Sequence, residues 1–391
     1  MLVRMGADSL DELGAGHSGS TPGAALSSRA GNPRRIERSF AVKPTRRLQE
    51  LDSLRGVASL SVVWHHWIWI FRDAVVPWYV LPFVSGREAV ILFFVLSGFV
   101  LSLGSPVTSP TQYVAFALRR IGRIYLPFVA AVALSGVCCV LFFGRSLPLA
   151  DWYYSSWHEP VTLAIVLREL ALSPTVTLNP SFWSLSYEIV ISLLFPSFWW
   201  LVKRRRGAWS VAALVGCKLL EVWVWRRGFG STYVGTLLYY LAFFMLGVAL
   251  ARGRHLLLRR VEHLPRAILW SALGVSLAAY LNYILLHLQA RKTDVLTAIG
   301  AAGLIILCQS PRIRIGLRSR VARFFGQVSY SLYLVHGVVL LALLDMFFGR
   351  LPKWGLGTLY GVVSVALSYL FCVAIEEPAH RLGKRWARQT R

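Results

Sequence analysis

An arginine and a histidine eleven positions apart inside one apolar run are the first residues in this chain that invite a chemical reading. The run is LDSLRGVASLSVVWHHW, Leu51 to Trp67, and the pair is Arg55 and His66. At about 100° per residue, eleven steps leave the two side chains about 20° apart around a helix and roughly 16 Å apart along it. They share a stripe, with His65 about 80° away from Arg55. A guanidinium at one end of such a stripe can hold an anionic cofactor while an imidazole deeper in meets its reactive end. Burial disfavours imidazolium, so His66 is expected to be neutral and able to accept a proton. The competing explanation is an interfacial arginine anchor, with His66 packed against Trp64 and Trp67.

Three further arginines stand close together, with Arg123 three residues after Arg120 and four after Arg119. Guanidinium forks suit phosphate oxygens, so two or more of them converging would hold a phosphorylated cofactor. Glu188 lies just inside a later apolar run. A carboxylate there can orient a hydroxyl, pair with an arginine or fix the imidazole, and buried it requires a partner. Ser97-Gly98 lacks the Gly-x-Ser-x-Gly setting of a nucleophile and reads as a close helix contact. Trp183 and Ser184 read as an interfacial belt and a helix start. Tyr330, Tyr333 and His336 fall near one helix face, where aromatic packing with a polar cap explains them equally well. Glu376 and Glu377 before Pro378 read as a helix end.

The elements that must position these residues are membrane helices. Of the 391 residues, 56% are hydrophobic and 15% charged, where a soluble chain carries about a quarter charged. The charges cluster between apolar runs of roughly bilayer-spanning length. Ten runs are expected to span, near 51–71, 88–104, 124–143, 183–202, 208–225, 233–251, 267–287, 294–310, 325–348 and 355–375. The 155–175 stretch, broken by Arg168 and Glu169, reads as re-entrant or interfacial. Of the 42 Lys and Arg, 30 fall on alternate connections and the two ends, and ten on the connections between, with Arg55 and Lys218 inside runs. That alternation puts both termini in the cytoplasm. It also accounts for the net charge of +24 without a nucleic-acid partner, for which no motif is present.

Residues 1–47 lack hydrophobic period and read as a disordered basic cytoplasmic arm, and 381–391 as a basic tail. No apolar run near the start suggests a signal peptide. The five cysteines all lie in apolar runs, so neither a disulfide framework nor a metal site is expected.

The Arg-x10-His opening resembles that of the acyltransferase-3 family of membrane O-acyltransferases. GREAVILFFVLSGFVLS (Gly86 to Ser102) is similar to the family's second-span motif, RRIGRIYLP (Arg119 to Pro127) to its arginine motif, and NPSFWSLSYEIVISLLFP (Asn179 to Pro196) to its Trp-Ser-Leu-x-x-Glu motif. VSYSLYLVH (Val328 to His336) and EEP (Glu376 to Pro378) complete the order. The chain departs from the pattern at Ile91 and Ile189, where many relatives carry an acid, and at Pro127, one residue late. No fused extracytoplasmic hydrolase-like domain of the kind found in one branch is expected after the last run.

The resemblance implies a multi-pass protein of the inner membrane. It implies a donor, acyl-coenzyme A and most commonly acetyl-coenzyme A, bound from the cytoplasm with its phosphates on Arg55, Arg120 and Arg123. His66 would act as base or as a transiently acylated group, with Glu188 in the site and no metal. The acceptor would be a carbohydrate or glycosylated molecule such as an exopolysaccharide, an O-antigen or a lipid-linked sugar. A transporter or flippase using His and Glu as a proton relay is the other reading, as is a non-catalytic scaffold; a transporter predicts inverted repeats, which the sequence does not display.

Overall fold

The computed structural model describes residues 48–390 apart from 73–75, 78, 105, 106, 145, 174, 204–207 and 283–289. The arm expected at 1–47 lies outside the described residues. What is described is predominantly helical, with no strand among the described residues.

The principal helices are α1 (Gln49–Trp69), α2 (Gly86–Ser102), α3 (Pro110–Phe142), α4 (Leu163–Leu170), α5 (Trp183–Lys203) and α6 (Ala208–Val224). They continue with α7 (Tyr233–Glu262), α8 (Arg266–Tyr280), α9 (Ala290–Leu307), α10 (Arg320–Phe347) and α11 (Lys353–Gln389). Each of the ten apolar runs overlaps one of these helices over its described residues. Four of them, α3, α7, α10 and α11, are long and apolar enough to cross a membrane. Serine and threonine caps set several starts: Ser109, Thr162, Thr232 and Ser319 each accept a backbone N–H from the first turn of the helix that follows.

Two features of this bundle position the site. α1 and α10 cross backbone to backbone at Gly56 and Gly326, where a Cβ on Gly56 would stand 2.5 Å from the Gly326 nitrogen. Such contact needs residues without side chains, and next to it the Ser59 hydroxyl donates to the Ser329 carbonyl at 3.1 Å. The Ser97-Gly98 step likewise brings α2 against the Phe244 carbonyl of α7.

The second feature is a pair of wide π turns, Ile121–Tyr125 in α3 and Cys372–Glu376 in α11. Each ends two residues before a proline, Pro127 and Pro378. Proline has no N–H for the carbonyl four residues back and its ring collides with it. One turn of wider helix relieves the collision without breaking the rod. Pro378 therefore does not end its helix as expected. α11 runs on to Gln389, and what was read as a basic tail beyond 380 is a helix lying against α3.

The 155–175 stretch contains the eight-residue α4. Its surroundings are tied to α10 and α3 by Tyr153, whose hydroxyl donates to Asp345 at 2.8 Å, and by Tyr125, whose hydroxyl donates to the Leu170 carbonyl at 2.8 Å. This connection closes the histidine end of the bundle: the Trp152 ring stands 5.5 Å from that of His66.

Candidate active site

Three hollows follow one another through the bundle and share walls. The central one, about 900 Å³, is lined by Arg55, Ser97, Arg120, Arg123, Glu188 and Tyr333 among others. On one side, Arg55 and Arg123 also line a mouth of about 1240 Å³. On the other, Val90 and Tyr333 also line an inner hollow of about 660 Å³, whose wall includes His65, His66, Arg87, Trp183, Tyr239 and Tyr240. Arg55 and His66 thus stand on successive cavities of one line, the arrangement that a common stripe on α1 produces.

His66 is oriented by a residue from the far end of the chain. Its Nδ1 lies 3.0 Å from Nε2 of His336, whose own Nδ1 lies 2.9 Å from the Leu332 carbonyl. A carbonyl only accepts, so His336 Nδ1 carries a hydrogen. A neutral His336 then presents a lone pair at Nε2, and His66 Nδ1–H donates to it. That leaves the lone pair of His66 on Nε2, available as a base. The Ser181 hydroxyl lies 3.1 Å from the same His336 nitrogen. Asn179 holds the arrangement from behind, donating to the Leu334 carbonyl at 2.9 Å and accepting the Ser181 N–H at 2.9 Å. His65, by contrast, donates to the Val84 carbonyl at 2.8 Å and packs on Gly86.

The arginines divide. Arg120 and Arg123 line the central hollow, whereas Arg119 lines none of the three. The π turn between Arg120 and Tyr125 changes the angular step per residue, so simple i, i+4 spacing does not carry Arg119 to the same face. The Nε of Arg120 is buried with no hydrogen-bond partner among the described residues. A buried unpaired guanidinium nitrogen is costly, and it stands beside a hollow that would admit an acceptor of hydrogen bonds. The π turn has a partner in Tyr330, whose hydroxyl donates to the Ile124 carbonyl at 2.7 Å.

Glu188 lies on the arginine side of His66. It accepts from the Ser97 hydroxyl at 3.0 Å and lines the central hollow with the three cations, so it is not the group that fixes the imidazole. Trp183 and Ser184 open α5 as expected, and the Ser184 hydroxyl and that of Tyr333 lie 2.6 Å apart on the wall of the central hollow.

Four residues that the sequence did not single out for this site are Asn179, Ser181, Arg87 and Asp294. Arg87 donates from Nε to Asp294 at 3.0 Å, and its second guanidinium nitrogen and the Tyr239 hydroxyl reach the same carboxylate. Asp294 is 1% exposed. The signal was an aspartate within an apolar run, where an ionisable residue has a partner or a function.

Residues 48–373 match the acyltransferase domain that defines the acyltransferase-3 family. This chain belongs to that family. It is similar to the acyltransferase MdmB of Streptomyces mycarofaciens, 27% identical over 375 residues that cover 87% of this chain and 93% of that one. Protein 2 in the picA locus of Rhizobium radiobacter is 32% identical over 166 residues, 39% of this chain and 82% of that protein. No solved structure matches. The protein is a membrane acyltransferase.

Proposed function

We propose that this acyltransferase moves an acyl group, acetyl in the first instance, from cytoplasmic acyl-coenzyme A to a hydroxyl of a carbohydrate-type acceptor. It would do so within a ten-span bundle of the inner membrane whose termini are both cytoplasmic. The observation that carries the reading is that His66 stands beside the junction of an arginine-lined hollow and an aromatic one, with its Nε2 lone pair left over by the His336 hydrogen bond.

The donor enters at the mouth, its phosphates held by Arg55, Arg120 and Arg123, and its thioester reaches the constriction at Val90 and Tyr333. The acceptor lies in the inner hollow, where Trp183, Tyr239 and Tyr240 offer faces to a sugar ring and Arg87 offers N–H groups. His66 Nε2 takes the hydroxyl proton as the oxygen attacks the thioester carbonyl. The Tyr333–Ser184 pair shares one hydrogen bond, which leaves one hydroxyl proton for the oxyanion. Collapse expels the thiolate, the proton passes from His66 to sulfur, and an ester and free coenzyme A result. A second route, acyl transfer first to His66 Nε2, uses the same contacts. Glu188 and Ser97 belong to the donor side and shape its channel.

The test is radiolabelled acetyl-coenzyme A with purified protein and a cell-envelope extract. Label should enter an envelope glycan, His66→Ala should abolish transfer in a protein that still folds in detergent, and His65→Ala should be milder. Undiminished transfer by His66→Ala ends the mechanism.

A further inference from the structure

The C-terminal stretch of α11, Glu377–Gln389, has two faces with different duties. Ala379, Gly383 and Ala387 are buried, and Gly383 meets α3 so closely that a Cβ on Gly122 would stand 2.5 Å from the Gly383 Cα. Gly122 is the residue before Arg123 and Gly383 the residue before Lys384. This contact therefore sets an arginine and a lysine from opposite ends of the chain on one hollow. Glu377, His380 and Lys384, spaced as one helix face, line the mouth together with Asp52, Arg55, Arg123 and Glu376.

The charges that face this hollow are not equally engaged. Asp52 lies 3.5 Å from Arg55, Glu376 accepts from the Ser331 hydroxyl at 2.5 Å, and Glu377 accepts from Arg381 at 3.1 Å and from Gln327 at 3.3 Å. Among the described residues neither Arg123 nor Lys384 makes an ion pair. A mouth whose acids are partnered, and in which Arg123 and Lys384 make no ion pair, is a seat for an anion at the wide end of the channel. Arg55 and Arg123, which reach the central hollow, lie nearer the thioester end, while Lys384 is exposed and lines the mouth but not the central hollow.

We propose that the mouth is the site of the nucleotide end of the donor and that Lys384 holds its 3′-phosphate, which makes α11 part of the donor site. The inference rests on the donor reading above and adds the location and recognition of a phosphate that the arginines do not account for.

The experiment compares coenzyme A with 3′-dephospho-coenzyme A by titration calorimetry on the detergent-solubilised full chain, without acceptor. Wild type should bind coenzyme A roughly tenfold more tightly, the scale of one charge-assisted contact. Lys384→Met should weaken coenzyme A by about that factor, leave dephospho-coenzyme A unchanged and so erase the discrimination. Arg385→Met, an exposed cation that lines none of the hollows, should preserve it. Equal affinity of wild type for the two ligands overturns the proposal, as does an equal loss of both in Lys384→Met, and in either case the donor reading stands. Failure of wild type to bind either ligand removes the donor reading and this inference with it.

Discussion

His66 and His336 lie 270 residues apart in sequence, yet Nδ1 of the first and Nε2 of the second are 3.0 Å apart, with the two rings stacked at 5.1 Å between centroids. The contact joins α1 to α10 at the depth where transfer would occur. It assigns the two imidazoles different duties, because the Leu332 carbonyl dictates the His336 hydrogen and His336 in turn dictates that of His66.

In the proposed mechanism His336 is a positioning residue. His336→Ala should lower kcat by about a hundredfold, within the range of general-base contributions, while KM for acyl-coenzyme A stays near wild type. His336→Gln, which retains an acceptor for His66 Nδ1–H, should recover part of the loss. The pH profile separates this role from a packing role. A proton taken up by the pair occupies the His66 lone pair, so kcat should fall as pH falls, and the position of that acid limb should move in His336→Ala. A variant that alters only KM, with an unmoved limb, would reduce His336 to packing.

The arginine cluster yields a contrast that spacing alone did not. Arg120→Ala should raise KM for acyl-coenzyme A by roughly ten- to a hundredfold, the worth of one or two charge-assisted hydrogen bonds. The KM for acceptor should hold. Arg119→Ala, whose side chain lines none of the hollows, should leave both constants within about twofold. Initial rates at varied donor and fixed acceptor decide it, and equal effects of the two substitutions would remove the distinction.

What the sequence made readable was what lies within one helix. Arg55 and His66 are joined by eleven residues of regular α-helix, so their common line of cavities follows from 3.6 residues per turn. The apolar runs were readable for the same reason, since the hydrophobic span is a local property. Three other features were not. The His66–His336 contact depends on how α1 crosses α10 at Gly56 and Gly326, which periodicity does not encode. The separation of Arg119 from Arg120 and Arg123 depends on a π turn whose cause, Pro127, lies downstream of all three. Pro378 was read as a terminator because a proline usually ends a helix, but here a second π turn absorbs it and α11 goes on to complete the mouth.

The ion pair on the wall of the inner hollow gives the last prediction. Asp294 is buried and receives Arg87 from α2 and Tyr239 from α7, so one carboxylate ties three helices. Asp294→Ala takes the shared acceptor away from a guanidinium and a buried phenol, and should cost about 3 kcal/mol, the low end for breaking a buried pair because Arg87 is partly exposed. Thermal unfolding in detergent should show the loss. The double substitution Arg87→Met with Asp294→Leu removes both charges and should unfold closer to wild type than Asp294→Ala alone. On the proposed assignment of the hollows its acceptor KM, however, should rise while its donor KM holds, because the cation is lost from the inner hollow and the central one is untouched. A double variant as unstable as the single one would mean that the helices rely on the charge pair itself and not on filling the space between them.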